Sequence, residues 1–186
     1  MGIHTDIDNY YLNPLGYTRG LFAQTANSIP VTGTTEATLI DGGVGGLTVP
    51  ANGFKVGDSF RADMSGQMSA ANNETLRIRV EGGPVILLDS LAQNLGSSIS
   101  NDIWVLSIDF TIRALGGPGV AEIAASGKFT YVKTNNGAFQ GFGFSTVNNT
   151  TFDTTITNTL DITATWGSTD PTNSIYSETF ILTKIF

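Results

Sequence analysis

The chain has 186 residues, of which 40% are hydrophobic, 13% are charged and 22 are glycines. A chain of this length fits one domain, but the charged fraction of a soluble protein is usually about 25%, so hydroxyls and amides must supply much of this surface. The net charge of −7, the nine basic residues scattered singly and the absence of cysteine argue against a nucleic-acid partner, docking to an anionic membrane and thiolate or disulfide chemistry.

Residues 1–20 form an irregular segment, which is broken by Asn13-Pro14 and Gly16. Five of its apolar and aromatic side chains follow neither a period of 2 nor one of 3.6, namely Tyr10, Tyr11, Leu12, Leu15 and Tyr17. One interpretation is an extended arm that lays these side chains on a neighbouring subunit. The other is a tail that packs on its own domain or is disordered. We assign residues 1–30 to an N-terminal arm and residues 31–186 to the domain.

The first twenty residues also lack the basic flank and apolar run of a signal peptide. No apolar run in the chain is long enough to span a bilayer. We therefore expect synthesis in the cytoplasm without Sec-type export, so that a place outside a cell would require lysis or a dedicated machine.

Strand patterns begin at residue 21. Residues 21–28, 35–40 and 47–49 are predicted as short strands. The glycine-rich residues 41–46 are predicted as a turn or bulge, because glycine loses the most backbone entropy in regular structure. Residues 59–69 alternate apolar and polar side chains over five repeats, which indicates a strand that is buried on one side.

The middle of the chain continues this alternation. A second alternating strand at 75–81 is followed, after a glycine-proline corner, by a short apolar strand at 85–88. Residues 90–101 are predicted as a polar loop with room for one helical turn. Residues 103–114 show the strongest strand pattern in the chain, and a glycine-rich turn leads back into residues 120–132 as a long antiparallel hairpin.

An aromatic segment follows the dipeptide Asn136-Gly137, which is typical of a type I′ hairpin turn. Phe139, Phe142 and Phe144 lie in this segment, separated by glycine and glutamine. They either fill the core, which is the favoured interpretation, or are exposed on a loop where they could bind a ligand.

Residues 156–166 alternate again, and residues 174–186 supply the closing strand. The side chains predicted to point inward are Ile156, Leu160, Ile162, Ala164 and Trp166. The outward positions include four threonines, namely Thr157, Thr159, Thr163 and Thr165. These threonines form either a solvated sheet face or a close-packed, charge-poor contact with a symmetry mate, and we mark them as a possible trimer face.

The patterns together predict eight to ten strands and no helix. Turn signals at intervals of about 8–12 residues are typical of a β-sandwich or barrel. Long strands, one-sided burial and loops of uneven length favour an antiparallel β-sandwich of the jelly-roll type, preceded by the extended N-terminal arm.

Catalytic chemistry has few candidate residues. His4 is the only histidine, which argues against a Ser-His-Asp triad and a zinc enzyme, and the glycine clusters match no phosphate-binding motif. Glycoside hydrolysis needs only two carboxylates, but Asp63, Asp109 and Asp161 are predicted on outward strand faces, where a carboxylate is usually just solvated. We therefore predict no enzyme, no cofactor and no metal site.

Three stretches of the sequence resemble a module that recurs in virion proteins of tailed bacteriophages and related viruses. They are TVPANGFKVGDSFRADMSGQMSAANNETLRIRV, DIWVLSIDFTIRALGGPGVAEIAASGKFTY and VNNTTFDTTITNTLDITATWGSTDPTNSIYSETFILTK. The resemblance covers residues 35–184 and lies in short sequence stretches along the predicted strands rather than in a catalytic motif. It implies a jelly-roll knob, often trimeric, of the kind found on capsid decoration (cement) proteins, head fibres or tail-fibre tips, and it brings no active-site residues with it.

On this basis we expect a capsid decoration protein on the virion surface, made in the host cytoplasm. Its partners would be the major capsid protein, contacted through the arm, and two further copies of itself in a homotrimer. The chain has no heptads or shaft repeats, which favours a cement protein over a tail fibre. The alternatives are a fibre tip that recognises host glycans and, less favoured, a glycan depolymerase.

Overall fold

A computed structural model describes residues 19–133, 137–147 and 151–186. Within these ranges the chain forms thirteen strands and no helix, and so no helix there is long and apolar enough to cross a membrane. The strands are β1 (Arg19–Gln24), β2 (Ala37–Thr38), β3 (Gly43–Gly45), β4 (Thr48–Val49), β5 (Ser59–Ala70), β6 (Thr75–Gly82), β7 (Val85–Asp89), β8 (Gln93–Asn94), β9 (Ile99–Ala114), β10 (Glu122–Val132), β11 (Phe139–Val147), β12 (Asn158–Trp166) and β13 (Ser174–Lys184).

The strands form two antiparallel sheets with one hydrophobic core between them. The first has seven strands in the order β11-β10-β9-β5-β13-β1-β3. The second has six strands. Four of them are adjacent in the order β2-β12-β6-β7, while β4 pairs with β12 and β8 pairs with β6. The all-β antiparallel sandwich is thereby confirmed, but thirteen strands exceed the eight to ten predicted, because β2, β3, β4 and β8 have only two or three residues each.

The strand pairs are nested along the chain. The outermost pair is β1 with β13, and inside it β12 pairs with β2 and β4. Inside these, β5 pairs with β9, and the innermost pair is β6 with β7. Successive pairs alternate between the seven-stranded and the six-stranded sheet, so the nested pairs fold over into a sandwich. Strands β10 and β11 extend the seven-stranded sheet beyond β9.

The predicted alternation of the two longest strands is confirmed. In β5 every even-numbered residue from Phe60 to Ala70 is buried, and in β9 the same holds from Trp104 to Ile112. Trp104 is fully buried, and its indole N–H donates to the carbonyls of Gln67 and Tyr176 at 3.1 and 3.2 Å. The aromatic ring therefore fills the core without leaving its polar atom unpaired.

The glycine-rich residues 41–46 differ from the prediction. Gly43–Gly45 form strand β3, which pairs with β1 at the edge of the seven-stranded sheet. Gly45 has a positive φ of 105°, and a Cβ at this position would lie 2.0 Å from the carbonyl oxygen of Leu21. The prediction of a turn or bulge was therefore wrong for Gly43–Gly45, where the glycines allow the close approach of two strands.

The predicted helical turn in residues 90–101 is also wrong. The chain forms β8 there and enters β9 at Ile99. The Asp89 carboxylate accepts the N–H of Leu91 at 2.8 Å, and the Ser90 hydroxyl accepts the N–H of Ile78 at 2.8 Å. Such side-chain-to-backbone bonds compete with helix formation, and Leu91 has a positive φ of 56°, which a right-handed helix does not allow.

The sandwich begins earlier than the predicted boundary. Strand β1 lies between β13 and β3 in the sheet, and Phe22 is buried against Phe180 at a ring distance of 5.7 Å. Residues 19–24, which the sequence prediction places in the arm, are therefore part of the sandwich. Residues 1–18, which include Tyr10, Tyr11, Leu12, Leu15 and Tyr17, lie outside the described residues, as does Asn136 of the predicted hairpin turn.

Candidate functional site

The four predicted trimer-face threonines do not form one exposed surface. Thr157 is exposed but precedes β12, and the hydroxyl oxygen of Thr159 lies 2.9 Å from that of Thr48. Thr163 is only 5% exposed, and its hydroxyl donates to Glu36 at 2.5 Å. Thr165 is half-buried, opposite Arg77.

Ile156 was predicted to point inward, but it is exposed. β12 begins only at Asn158, and the Ile156 carbonyl accepts the Asn158 amide at 3.0 Å. The prediction was wrong because this side-chain bond holds the chain in a turn before the strand, so the period of 2 does not yet apply.

The outer face of the six-stranded sheet carries a network of charges. Arg77 donates two hydrogen bonds to Asp89, of which Nε to Oδ1 measures 2.8 Å. Arg79 donates to Asp89 at 3.3 Å and to Glu36 at 2.5 Å. The hydrogen bond from Arg77 is the main cause that lowers the pKa of Asp89 to about 2. The premise that the threonines lie on a charge-poor face is therefore wrong.

Electrostatics on this face also act on Glu81. Burial raises the pKa of Glu81, and the nearby carboxylates of Glu36 and Asp161 raise it further. Sequence reasoning missed this network, although one signal was present: two arginines at alternate outward positions of one strand need carboxylate partners, which here come from β7 and from the loop before β2.

The outer face of the seven-stranded sheet has a different character, and we call it the hydroxyl face. We define it by fourteen outward side chains of β5, β9, β10 and β13, namely Arg61, Asp63, Ser65, Gln67, Ile103, Val105, Ser107, Asp109, Ser126, Lys128, Thr130, Thr179, Ile181 and Thr183. Only four of these fourteen side chains are charged. The same strands also carry three further charged side chains that are not buried, namely Arg113, Glu122 and Glu178.

Neighbouring strands supply hydrogen-bond partners to several polar groups of the hydroxyl face. Ser65 and Thr179 share a hydrogen bond of 2.6 Å, and Ser107 donates to Asp63 at 2.6 Å. Arg61 donates to Asp109 at 2.8 Å, and this bond raises the pKa of Arg61. Ile103, Val105 and Ile181 are 40–52% exposed beside these groups. The result is a weakly charged, partly apolar surface on which the hydroxyls of Ser65, Ser107 and Thr179 already have partners.

Strand β11 forms the open edge of this sheet. Phe142 and Phe144 are half-buried against the core, and Phe142 stacks on Phe129 at 5.0 Å, whereas Phe139 is 75% exposed. The favoured core interpretation therefore holds in part for two of the three rings. Gly141 is needed in this strand, because a Cβ there would lie 2.2 Å from the Phe129 carbonyl oxygen.

The predicted carboxylates do not converge on one cleft. Asp63 and Asp109 lie on the hydroxyl face, whereas Asp161 lies on the other sheet and accepts the Thr38 hydroxyl at 2.5 Å. Among the described residues no group of three or more His, Cys, Asp or Glu side chains could hold a metal ion.

A further carboxylate, which sequence reasoning missed, is buried beneath the 167–173 loop. Glu74 accepts hydrogen bonds from Asn173 and from the Thr75 amide, both at 2.8 Å, and from Ser168. Burial alone would raise the pKa of Glu74, but these three bonds hold it below its usual value. Its partners are all within the chain, so the carboxylate fastens this loop.

No family model matches the chain, and neither a curated protein nor a solved structure matches it. The surfaces described above are thus the basis for any assignment of function.

Proposed function

We propose that the protein is a non-enzymatic structural protein of a virion surface, namely a capsid decoration protein that assembles as a homotrimer through its hydroxyl face. The proposed sandwich type is the jelly roll, and the nested strand pairs that alternate between two sheets support it. The resemblance to phage virion modules supports the capsid role, and it covers residues 35–184, which include β2 to β13.

The observation that carries this proposal is the composition of the hydroxyl face. Interface cores are depleted of charged residues, and burying a polar group costs free energy unless it keeps a hydrogen-bond partner. On this face Ser65, Thr179 and Ser107 already have partners within the chain. A neighbouring subunit could therefore cover the exposed Ile103, Val105 and Ile181 without leaving these hydroxyls unpaired.

The capsid contact is assigned to the segment before β1. Deleting residues 1–18 should leave the trimer folded, because β1 begins at Arg19, and should abolish retention on capsids that carry the major capsid protein. The measurement is the occupancy of purified particles incubated with the full chain or the truncated chain.

Wild-type occupancy of the truncated protein would contradict the arm assignment. Unfolding of the truncated protein would mean that the segment belongs to the sandwich. In either case light scattering of the full chain still tests the trimer, since a monomer at micromolar concentration would contradict self-assembly through the hydroxyl face.

A glycan-binding fibre tip is the second candidate, and the exposed ring of Phe139 favours it. The ring stands beside Gly141 and Gly143, whose missing side chains leave the outer side of β11 open. Sugar rings can stack on such an aromatic face. Phe139→Ala should then abolish binding to a panel of host surface glycans, whereas Phe186→Ala, which alters an exposed phenylalanine elsewhere, should not. Absence of glycan binding by the wild-type protein would rule this candidate out.

A further inference from the structure

A cavity of about 220 Å³ lies between the sheets at the end of the sandwich where β1, β5 and β12 begin and β6, β9 and β13 end. Its walls include Phe54, Phe60, Phe110 and Phe152, whose neighbouring rings pack at centroid distances of 5.0–6.2 Å. For comparison, an engineered apolar cavity of about 150 Å³ binds benzene. The space is therefore large enough for a small organic molecule.

One buried polar atom in the cavity lining has no hydrogen-bond partner among the residues that the structure describes. Asn158 lines the cavity and is only 4% exposed. Its amide nitrogen donates to the carbonyls of Asp153 and Ile156 at 2.8 and 3.0 Å, which fixes the orientation of the side chain because only the NH₂ group can donate. Its oxygen Oδ1 is buried and accepts no hydrogen bond from the described chain.

The oxygen lies beside the part of the cavity wall that Gly82 forms. Gly82 also lines the cavity, and a Cβ at Gly82 would lie 3.6 Å from Asn158 Oδ1. A buried acceptor without a donor is unfavourable, and in a functional pocket a few such polar atoms fix the orientation of a mostly apolar ligand. Asn158 Oδ1 therefore meets the requirement for a group that selects a hydrogen-bond donor.

The charged groups in the lining do not require an ionic ligand. Lys184 Nζ lies 2.6 Å from Asp58 Oδ1, and Asp58 Oδ2 accepts the Lys55 amide at 2.8 Å. Lys184 also lies 6.0 Å from the centroid of the Phe60 ring. Because the two charges already compensate each other, a neutral ligand suffices, and Asn158 Oδ1 is the buried acceptor that it would meet.

We propose that this cavity binds a neutral, mostly apolar small molecule that donates one hydrogen bond from a hydroxyl or N–H group to Asn158 Oδ1. The aromatic and aliphatic walls supply the favourable burial, and the single acceptor supplies the selectivity. The assignment does not depend on the proposed capsid role.

Phenol and toluene are suitable probes, because they share one ring and differ in a hydroxyl against a methyl group. Both are titrated into the full-length protein, and the amide resonances of cavity residues are followed by NMR. We expect saturable binding of phenol, and we expect the ratio of the toluene Kd to the phenol Kd to fall at least fivefold in Asn158→Ala, as one hydrogen bond of typical strength predicts. Asn94→Ala, which alters an exposed asparagine outside the cavity, should leave the ratio unchanged.

Since Asn158→Ala also removes two bonds to the loop, Gly82→Ala is the second variant. Its methyl group would lie beside Oδ1 and 3.1 Å from a terminal methyl of Leu87, which can move. It should weaken phenol binding at least fivefold with little change in Tm, even if Asn158→Ala does not fold. The proposal is overturned if neither probe binds, or if phenol binds the Gly82→Ala variant as tightly as the wild-type protein.

Discussion

The outer faces of the two sheets differ in how their polar side chains find partners. Both project polar side chains at most of the outward positions of their long strands. The six-stranded sheet joins Arg77, Arg79, Asp89 and Glu36 into a network with half-buried members. The hydroxyl face carries few charges and leaves aliphatic side chains partly exposed between short hydroxyls.

The difference shows that an outward polar position has no fixed role. On the six-stranded sheet, long charged side chains compensate one another, and Thr163 is buried beneath them. On the hydroxyl face, short side chains pair locally and cannot cover Val105 or Ile181. Ion pairs within one chain stabilise the first surface, whereas we propose that a partner covers the second.

The core behind both faces should respond most strongly to mutation. Trp104 in the seven-stranded sheet and Trp166 in the six-stranded sheet are both fully buried and hydrogen-bonded through their indole N–H. Trp104→Ala and Trp166→Ala should each lower the free energy of unfolding by about 3–5 kcal/mol. Chemical denaturation measures the loss, and a wild-type midpoint for either variant would mean that the ring does not fill the core.

The charged network should matter next. Arg79→Met removes the half-buried guanidinium that bonds both Asp89 and Glu36, and we expect a loss of about 2 kcal/mol in unfolding free energy. Arg61→Met on the hydroxyl face is the matched control, because Arg61 and Asp109 are each 50% exposed, and exposed pairs contribute little. Equal losses of unfolding free energy for the two variants would contradict the proposed difference between the two faces.

Self-assembly should depend on one face only. Val105→Lys places a charge at the centre of the hydroxyl face and should weaken the trimer at least tenfold, because an unpaired charge is unfavourable in an interface core. Ile86→Lys is the control, since Ile86 lies on the other sheet and has the same exposed fraction of 40%. Sedimentation velocity across a concentration series measures the change, and dissociation caused by Ile86→Lys instead would place the interface on the charged sheet.

The pH dependence should be the smallest effect. The pKa of Asp89 is about 2 in the folded chain against an ordinary value of 3.8, so its stabilisation is present above about pH 5 and is lost as the pH falls toward 2. After solvent screening we expect this contribution to be about 1 kcal/mol. The stability difference between the wild-type protein and Asp89→Asn should shrink by that amount over this range. A difference that stays constant with pH would contradict the lowered pKa.

Local periodicity was sufficient to predict the long strands. The alternation in residues 59–69 and 103–114 predicted which side chains of β5 and β9 are buried, because a period of 2 is a property of the strand itself. The same rule carried a signal that was missed: residue 158 falls at an inward position of its strand, and an asparagine there is a polar group placed in the core.

The features closest to function depend on residues far apart in the sequence, which local patterns do not reveal. Thr163 is buried and donates to Glu36, which lies 127 positions away in the sequence. Lys184 pairs with Asp58, which lies 126 positions away. The cavity is lined by residues at the ends of strands from both sheets. Period and turn chemistry within the sequence determined an all-β antiparallel sandwich, since these act between neighbouring residues. Only the tertiary structure decided which outward side chains are covered and where an acceptor lacks a donor, since both depend on how the two sheets pack.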